Sequence, residues 1–544
     1  MSEKLNIFRF WKRRKTRKIK YLMRGYRYLK VNNELDKIET VIEALSESKI
    51  HFCNDKVSNL FFGSSLDHAE LCIRQYLLVR LAGLKLNKAL LCALGNPSSK
   101  IIYPLPPMWR EVLQKHGFMV NRIWTPVAWQ GFIILMFLYG VYTSISKILG
   151  SVAELVGPQR EKLGRYSYFN DLARGNLPKF NRNNKSYNIV SWYEQWAGKI
   201  NNLETLCHSV KGVSTTSLGK SLKVTYIPSA IRPITNLDGL MRFIVWGLCV
   251  SVSALSDIVR GRWWSALLLR EACFAKMVRL QDKDNMAREY FFHNSGWVYR
   301  PLWTYEAKKK GSRISFYFYS TNCETFKRSD GYPKPIYGWN VANWPLYLVW
   351  DKYQADFVRR VVADNANINV VGSIWFSSNA LDLPVLPRNS VAVFDVQPHR
   401  SSRYQLLGLA SEYYVPRTTS QFLLDIQHVL SKYHVTVVHK RKRNIGKMLH
   451  PTYAKLVEEM SHDDLVINID PDVSAIKVIE KCRAVISMPF TSTAVLGIEQ
   501  QKPSIYYDPH GVVQKDDRAA HGIPIVAGID ELDDWIKKVI SIAG

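Results

Sequence analysis

Four hydroxyl side chains crowd into seven positions near the carboxyl end of the chain. They are Ser487, Thr491, Ser492 and Thr493, in AVISMPFTSTAVLGIEQQKPSIYYDP, residues 484–509. An apolar run of strand type precedes them and a run of helix type follows. At such a junction the helix offers unpaired N–H groups and the positive end of its dipole. Hydroxyls added there can receive a phosphate without a buried cation. A helix cap accounts for one hydroxyl, and four around a proline point to a ligand. Glu499 lies two helical turns beyond Ser492 and is placed to accept bonds from ribose hydroxyls.

A second cluster shares this chemistry. The apolar strand of TVVHKRKRN, residues 436–444, delivers His439, Lys440, Arg441, Lys442 and Arg443 to a strand end. By itself a charge run is a solvated face. At a strand end beside the hydroxyls, Lys440 and Lys442 fall on one side of an extended segment. With His439 they would neutralise a leaving phosphate. Asp395 in VFDVQPHRSS ends another strand and supplies a third wall.

Transfer from a phosphate leaving group also needs a base for the incoming hydroxyl. Glu306, Glu324 and Asp330 are the candidates, Glu306 and Asp330 foremost. Glu306 stands beside a lysine triplet that could hold it in a surface ion pair, and Asp330 in RSDGYP reads equally as a turn residue. Asn294, Ser295 and Asn322 are polar groups at strand ends that would orient an acceptor, while His293 reads as a core imidazole. The carboxylate pairs Asp463-Asp464 and Asp516-Asp517 are assigned to solvent, so no metal is expected. No GxGxxG follows a first strand and no GxxxxGK[ST] occurs, which argues against a dinucleotide cofactor and a P-loop NTPase.

These residues need a sheet to carry them. From about residue 187 short apolar strands alternate with helical stretches: 187–193, 222–230, 289–295, 313–322 and 368–373 read as strands, with helices over 238–280 and 299–311. After LDLPVLPRN, 381–389, the alternation restarts and continues to the end. Strands alternating with helices imply parallel sheets with crossover helices. The expected fold class is α/β, with two Rossmann-like domains. The expected domains are a basic segment 1–31, a helical region 32–180, an amino-terminal sheet domain 181–385 and a carboxyl-terminal sheet domain 386–544.

The charge is uneven. Net charge is +28, and residues 1–30 hold twelve Lys/Arg against one Glu. Residues 9–30 interleave these cations with Phe10, Trp11, Tyr21, Leu22, Met23, Tyr26 and Tyr28, which suits an anionic lipid surface. Single-stranded nucleic acid is the rival reading and a solvated tail the plain one, with the membrane surface preferred. Residues 123–146 carry no charge between Arg122 and Lys147, long enough to span a bilayer, although Pro126, Gln130 and Gly131 suit an interface-lying helix equally. A second uncharged run, 243–256, is too short to cross, and RGRWWSALLLR after it pairs Arg with Trp as interfacial helices do. The eight cysteines form no CxxC pair and read as reduced thiols. The expected location is the cytoplasmic face of an inner membrane, peripheral or with one embedded segment.

Pro489-Phe490-Thr491-Ser492 matches the Pro-Phe-Thr-Ser motif for which a family of bacterial surface-polysaccharide biosynthesis proteins is named, and the chain resembles that family. YRPLWTYEAKKKGSRISFYFYSTN (299–322), NWPLYLVWDKYQADF (343–357) and VFDVQPHR (393–400) extend the resemblance over roughly 285–510. It implies a GT-B-like fold related to capsule and lipopolysaccharide enzymes that use CMP-activated ulosonic acids. The implied activity is metal-independent transfer of a sugar from a nucleotide sugar to a surface polysaccharide or lipid-linked glycan. Ser487, Thr491, Ser492 and Thr493 would contact phosphate and nucleotide. CMP-using enzymes often carry a His-Pro pair near the phosphate; here the strand ends in His439-Lys440, and His450-Pro451 comes later. A CMP donor is favoured, with room for a UDP- or GDP-sugar. The alternative is a non-catalytic sugar-nucleotide-binding subunit of a capsule or O-antigen assembly complex.

Overall fold

The computed structural model describes residues 19–34, 36–48, 60–63, 66–82, 84–96, 98–157, 165–172, 176–177, 192–193, 196, 205–211, 223–294, 299–321, 323–333, 338–339, 341–374, 381, 383–400, 413–442 and 444–541. Ser295, Asn322, Arg443 and most of the basic segment, 1–18, lie outside the described residues. The chain forms two compact units. The first comprises 1–172, 200–317 and 336–347, and the second 173–199, 318–335 and 348–544.

Described residues 19–31 of the first unit are already helical, and helices α1 (Lys37–Glu47), α2 (Leu66–Tyr76), α3 (Leu84–Leu94), α4 (Pro107–Lys115) and the 33-residue α5 (Trp124–Val156) follow. Strands β1 (Tyr166–Phe169), β2 (Thr205–His208) and β3 (Lys223–Tyr226) follow, then α6 (Leu237–Val259), α7 (Trp264–Leu280), β4 (Glu289–His293), α8 (Trp303–Lys309) and β5 (Arg313–Tyr317). With β6 (Tyr347–Val349) and β7 (Ile368–Val370) the first sheet runs β3-β2-β1-β4-β5-β6-β7. The pairings from β3 through β5 are all parallel.

Three expectations change here. The sheet starts at β1, inside the region read as helical. Its four residues, Tyr-Ser-Tyr-Phe, are all buried between β2 and β4, so it shows no apolar–polar alternation to betray it. In the stretch read as the first strand, Trp192 and Tyr193 are helical, and 187–191 lie outside the described residues. The helix around 243–256 is also longer than its uncharged core. Asp238 and Arg242 pair along its surface at 3.0 Å, and Asn236 caps it by accepting from the Gly239 N–H at 2.6 Å. Helices α5 and α6 are both long and apolar enough to cross a membrane by length and composition.

The second unit contains α9 (Lys352–Val361), β8 (Ser390–Phe394), α10 (Pro416–Lys432), β9 (Thr436–Lys440), α11 (Pro451–Met460), β10 (Val466–Ile469), α12 (Ala475–Lys481), β11 (Ala484–Ser487), α13 (Ser492–Glu499), β12 (Ser504–Asp508), β13 (Ile525–Ala527) and α14 (Gly528–Ser541). Its sheet runs β10-β9-β8-β11-β12-β13, all parallel. Counted from β8 this is 3-2-1-4-5-6, the doubly wound Rossmann order. The first six strands of the other sheet, counted from β1, follow the same order. The α/β expectation with two Rossmann-like sheets therefore holds. Val391 and Val393 pack with Phe422 and Ile426 of α10 and Tyr507 of β12, all essentially buried. Gly497 lets α13 lie close to the sheet, since a Cβ there would meet Ser504 Oγ at 2.2 Å and Val485 Cγ2 at 2.9 Å.

Candidate functional site

The order 3-2-1-4-5-6 reverses between β8 and β11, and ligands of open α/β sheets bind beyond the carboxyl ends at that reversal. The Pro-Phe-Thr-Ser loop leaves β11 there. Met488 N–H extends the ladder to the Phe394 carbonyl at 2.8 Å. Phe490 then takes the left-handed conformation, φ 63°, a strained choice for an aromatic residue. Its ring is held by Phe326 and Tyr506, with centroids 4.6 and 5.7 Å away. Tyr414 and Tyr506 donate hydroxyl protons to the carbonyls of Pro489 and Thr491 at 2.8 and 2.9 Å. The loop is thus fixed before any ligand arrives.

The four hydroxyls divide into two roles. Ser487 and Thr491 are buried, Ser492 and Thr493 half-buried. Thr491 Oγ1 donates to the Met488 carbonyl at 2.9 Å, Ser487 Oγ shares a hydrogen bond with Thr493 Oγ1 at 2.9 Å, and Thr493 meets Thr491 Oγ1 at 3.2 Å. Ser492 Oγ accepts from Thr321 N–H at 3.2 Å and lies 3.0 Å from Thr321 Oγ1. The four residues expected to contact phosphate therefore differ in access. Ser487 and Thr491 brace the loop, because a strand end covered on both faces turns its side chains into the core. Ser492 and Thr493 remain accessible, on the first turn of α13 where helical N–H groups lack intrahelical partners.

At the end of β9 the alternation of a strand separates His439 from Lys440. His439 is interior: Nδ1 pairs with Asn468 Oδ1 at 2.8 Å and Nε2 with Asp395 Oδ2 at 3.2 Å. Asp395 is 2% exposed and also accepts the Tyr453 hydroxyl proton. Both residues were expected to face the ligand directly; here they bond to each other, because β8 and β9 are adjacent and covered. Lys440 is 6% exposed and donates to the carbonyls of Arg441 and Pro471 at 3.2 and 3.1 Å. Burial pulls its pKa down to about 8, opposed by the carboxylates of Asp472, Asp470 and Asp395. Lys442 is exposed in the loop beyond. Glu499 is exposed at the end of α13, where Oε1 accepts the Ser373 N–H at 3.0 Å.

Sequence reasoning placed Asp395 on this edge and noted His450-Pro451 without giving it a site role, and it passed over Ser474. The buried atoms Asp395 Oδ1, His450 Nδ1 and Ser474 Oγ have no hydrogen-bond partner. Such atoms are rare in folded proteins and call for a reason. The His450 N–H donates to the Pro398 carbonyl at 3.0 Å, which lays the loop before α11 along the segment leaving β8. The His450-Pro451 pair, with proline at the first helical position, was the available signal.

The acceptor-side residues lie elsewhere. Asn294 follows β4, and its N–H donates to the Tyr317 carbonyl at 3.3 Å. His293 is half-buried, with its pKa lowered mainly by desolvation. Glu306 is buried in α8, 3.6 Å from Arg279 Nε, so its ion pair is internal rather than with the surface lysines. Glu324 pairs with Arg360. Asp330 is exposed in a turn closed between Arg328 and Gly331 and belongs to the second unit. Asp517 is 4% exposed and accepts from the Lys327 and Ala519 N–H groups, which corrects its assignment to solvent. Among the described residues no three His, Cys, Asp or Glu side chains gather as metal ligands.

Comparison with known proteins gives three kinds of result. No curated protein matches the chain. Among solved structures, the wall teichoic acid polymerase TagF is similar at 10% identity, covering 76% of this chain and 90% of that one with a TM-score of 0.36. The calicheamicin glycosyltransferase CalG4 is similar at 10% identity, covering 69% and 90% with a TM-score of 0.33. The UDP-GlcNAc 2-epimerase of Methanocaldococcus jannaschii is similar at 8% identity, covering 69% and 92% with a TM-score of 0.32. The family model described as polysaccharide biosynthesis PFTS motif protein matches residues 246–536, more than half of the chain and the whole of the loop that bears the motif. The chain belongs to the polysaccharide biosynthesis PFTS motif proteins.

Proposed function

We propose that this protein is a glycosyltransferase that moves a sugar from a nucleotide sugar to a surface polysaccharide or lipid-linked glycan. One observation carries the reading: the family motif sits at the strand-order reversal of the second sheet, on the edge that also holds a buried lysine. In transfer, the bond from the anomeric carbon to the phosphate oxygen breaks and a bond to the acceptor oxygen forms. The acceptor proton passes to a base, and the leaving nucleotide gains negative charge. Ser492, Thr493 and the first N–H groups of α13 stabilise that charge, with Lys440 and Lys442 as cations. Glu499 is the proposed ribose partner. Asp395 and His439 keep β8 and β9 in register beneath. Asp330, being exposed, is the preferred base over Glu306; Asn294, Ser295 and Asn322 are proposed to orient the acceptor. The donor proposed first is a CMP-sugar, without a metal, and the protein works on the cytoplasmic face of an inner membrane.

Thermal-shift measurements with CMP, UDP and GDP test the donor site, because a ligand that binds only the native state raises its stability. One nucleotide should raise the midpoint clearly above the others. Lys440→Met and Ser492→Ala should each lower its affinity about tenfold, as loss of one charge-assisted contact does. No response to any of the three overturns the proposal. A response without sugar transfer to an extracted glycan supports the non-catalytic subunit instead.

A further inference from the structure

Helices α5 and α6 are apolar on two faces, and only one face of each is used in packing. Along α6, Leu240, Phe243, Trp246, Val250 and Ala254 are buried, while Met241, Val245, Leu248, Val252, Leu255 and Val259 are exposed. The exposed set recurs every three or four residues, a single stripe. On α5 the stripe is Val127, Leu138, Tyr142, Ile145, Leu149 and Val156, opposite the buried Thr125, Trp129, Ile133, Gly140 and Ser144. More than half of the large exposed hydrophobic side chains described in the whole chain lie on these two helices.

The helices run antiparallel, side by side. Ser151 Oγ near the end of α5 accepts the Ile234 N–H just before α6 at 3.0 Å. At the opposite end Trp129 meets Trp263, just after α6, at 5.3 Å. Their inner faces rest on α7 along its length. A Cβ on Gly140 would lie 2.6 Å from Leu269 Cγ, Arg270 stacks over Tyr139 at 5.1 Å and Lys147 over Phe274 at 5.5 Å. Beyond α7 stands the body of the unit, where Glu271 accepts the Leu302 N–H at 3.2 Å and Arg279 pairs with Glu306.

We propose that α5 and α6 form a two-helix platform that lies in the plane of the membrane, with its outer face sunk into one leaflet and both ends of each helix on the same side. The occupant is lipid, for two reasons. The exposed stripe carries no charge between 243 and 256 on α6 or between 123 and 146 on α5. Its Trp129–Trp263 end is fringed by exposed Trp124, Arg122 and Arg260, the aromatic and cationic rim that suits an anionic interface. A crossing is excluded because it would take α7, with Arg270, Glu271 and Lys276, and the body behind it into hydrocarbon. This deepens the membrane part of the proposed function and rests on it, but it is independent of the transfer chemistry.

Flotation of the full chain with phosphatidylethanolamine–phosphatidylglycerol vesicles tests it. The wild type should float, and Val245→Glu/Val252→Glu should cut the bound fraction about tenfold with an unchanged thermal midpoint in solution. On proteoliposomes, Asp238→Cys and Arg260→Cys should both react with an impermeant maleimide added outside, read at each site by mass spectrometry. Flotation of the double variant equal to wild type overturns the platform and leaves membrane association standing through another segment. Protection of one end only means a crossing and also overturns it. A wild type that fails to float overturns both ideas. A lipid-free dimer dispersed by the same two substitutions assigns the face to a second copy and overturns the platform.

Discussion

Two sheets with one strand order end in different chemistry at the point where the order reverses. Between β1 and β4 the edge is aromatic. Phe169 stacks on Phe291 at 4.2 Å, Tyr317 closes at 6.2 Å from Phe169, and Asn170 spends both its N–H and its side-chain amide on the Phe291 carbonyl. Between β8 and β11 the edge is polar: Asp395 bonds to His439 and Tyr453, Ser487, Thr493 and Thr491 form a separate hydroxyl chain, and unpartnered atoms are left over. Topology supplies an opening at each reversal. Residue type decides whether that opening is filled by rings or lined with groups that bind anions. Polar satisfaction, rather than apolar area, therefore holds the second edge in shape.

The largest test of this contrast is Asp395→Ala. It strips His439 and Tyr453 of a buried acceptor and should cost about 3 kcal/mol in urea unfolding. Asn170→Ala on the aromatic edge should cost only about 1 kcal/mol. Equal losses would end the distinction. Gly497→Ala comes next. Its methyl would press on Ser504 and Val485, so α13 must shift, with a loss of about 2 kcal/mol and weaker nucleotide binding. Retained stability and retained binding together would show that the motif loop does not depend on the closeness of α13.

The effects of pH have opposite signs in the two sheets. Glu289 of β4 is buried with Ser315 Oγ donating to it at 2.5 Å, and burial raises its pKa from 4.5 to about 7. Between those values the folded chain holds more protons than the unfolded one, so stability falls as pH rises from 4.5 to about 7. Glu289→Gln should flatten that fall. Lys440 titrates at about 8 against an ordinary 10.5, so between those values the unfolded chain holds more protons and stability rises with pH. Lys440→Met should flatten that rise. Stability curves of both variants against wild type, from pH 4.5 to 10.5, check the pair, and slopes of the same sign would contradict the two burials.

Much of the second unit was legible in the order of residues. The strands and helices read between 390 and 509 appear where apolar runs and turn residues put them, because each strand is a short apolar run bounded by polar or glycine-containing turns; Ile525–Ala527 and Gly528–Ser541 were not read individually. In the first unit β1 and β2 escaped, since four buried residues with no alternation resemble any apolar scrap. The clustering of Ser487, Thr491, Ser492 and Thr493 at a strand-to-helix junction was local and readable. Their division into bracing and accessible hydroxyls was not, because it depends on which side chains β8, β12 and residues 318–335 bring against the loop.

The chain order alone established a parallel α/β protein, a family motif at a strand end, a cationic start and two uncharged helical stretches. All of these are read over a few consecutive residues. Only the tertiary structure decided that the motif leaves β11 beside β8, the strand that Asp395 follows, at the reversal of strand order, that His439 turns inward while Lys440 is held by two carbonyls, and that α5 and α6 lie antiparallel with one bare face. Strand order, burial and the pairing of helices far apart in sequence are long-range outcomes. They follow from which apolar faces can cover one another, a condition that no local window contains.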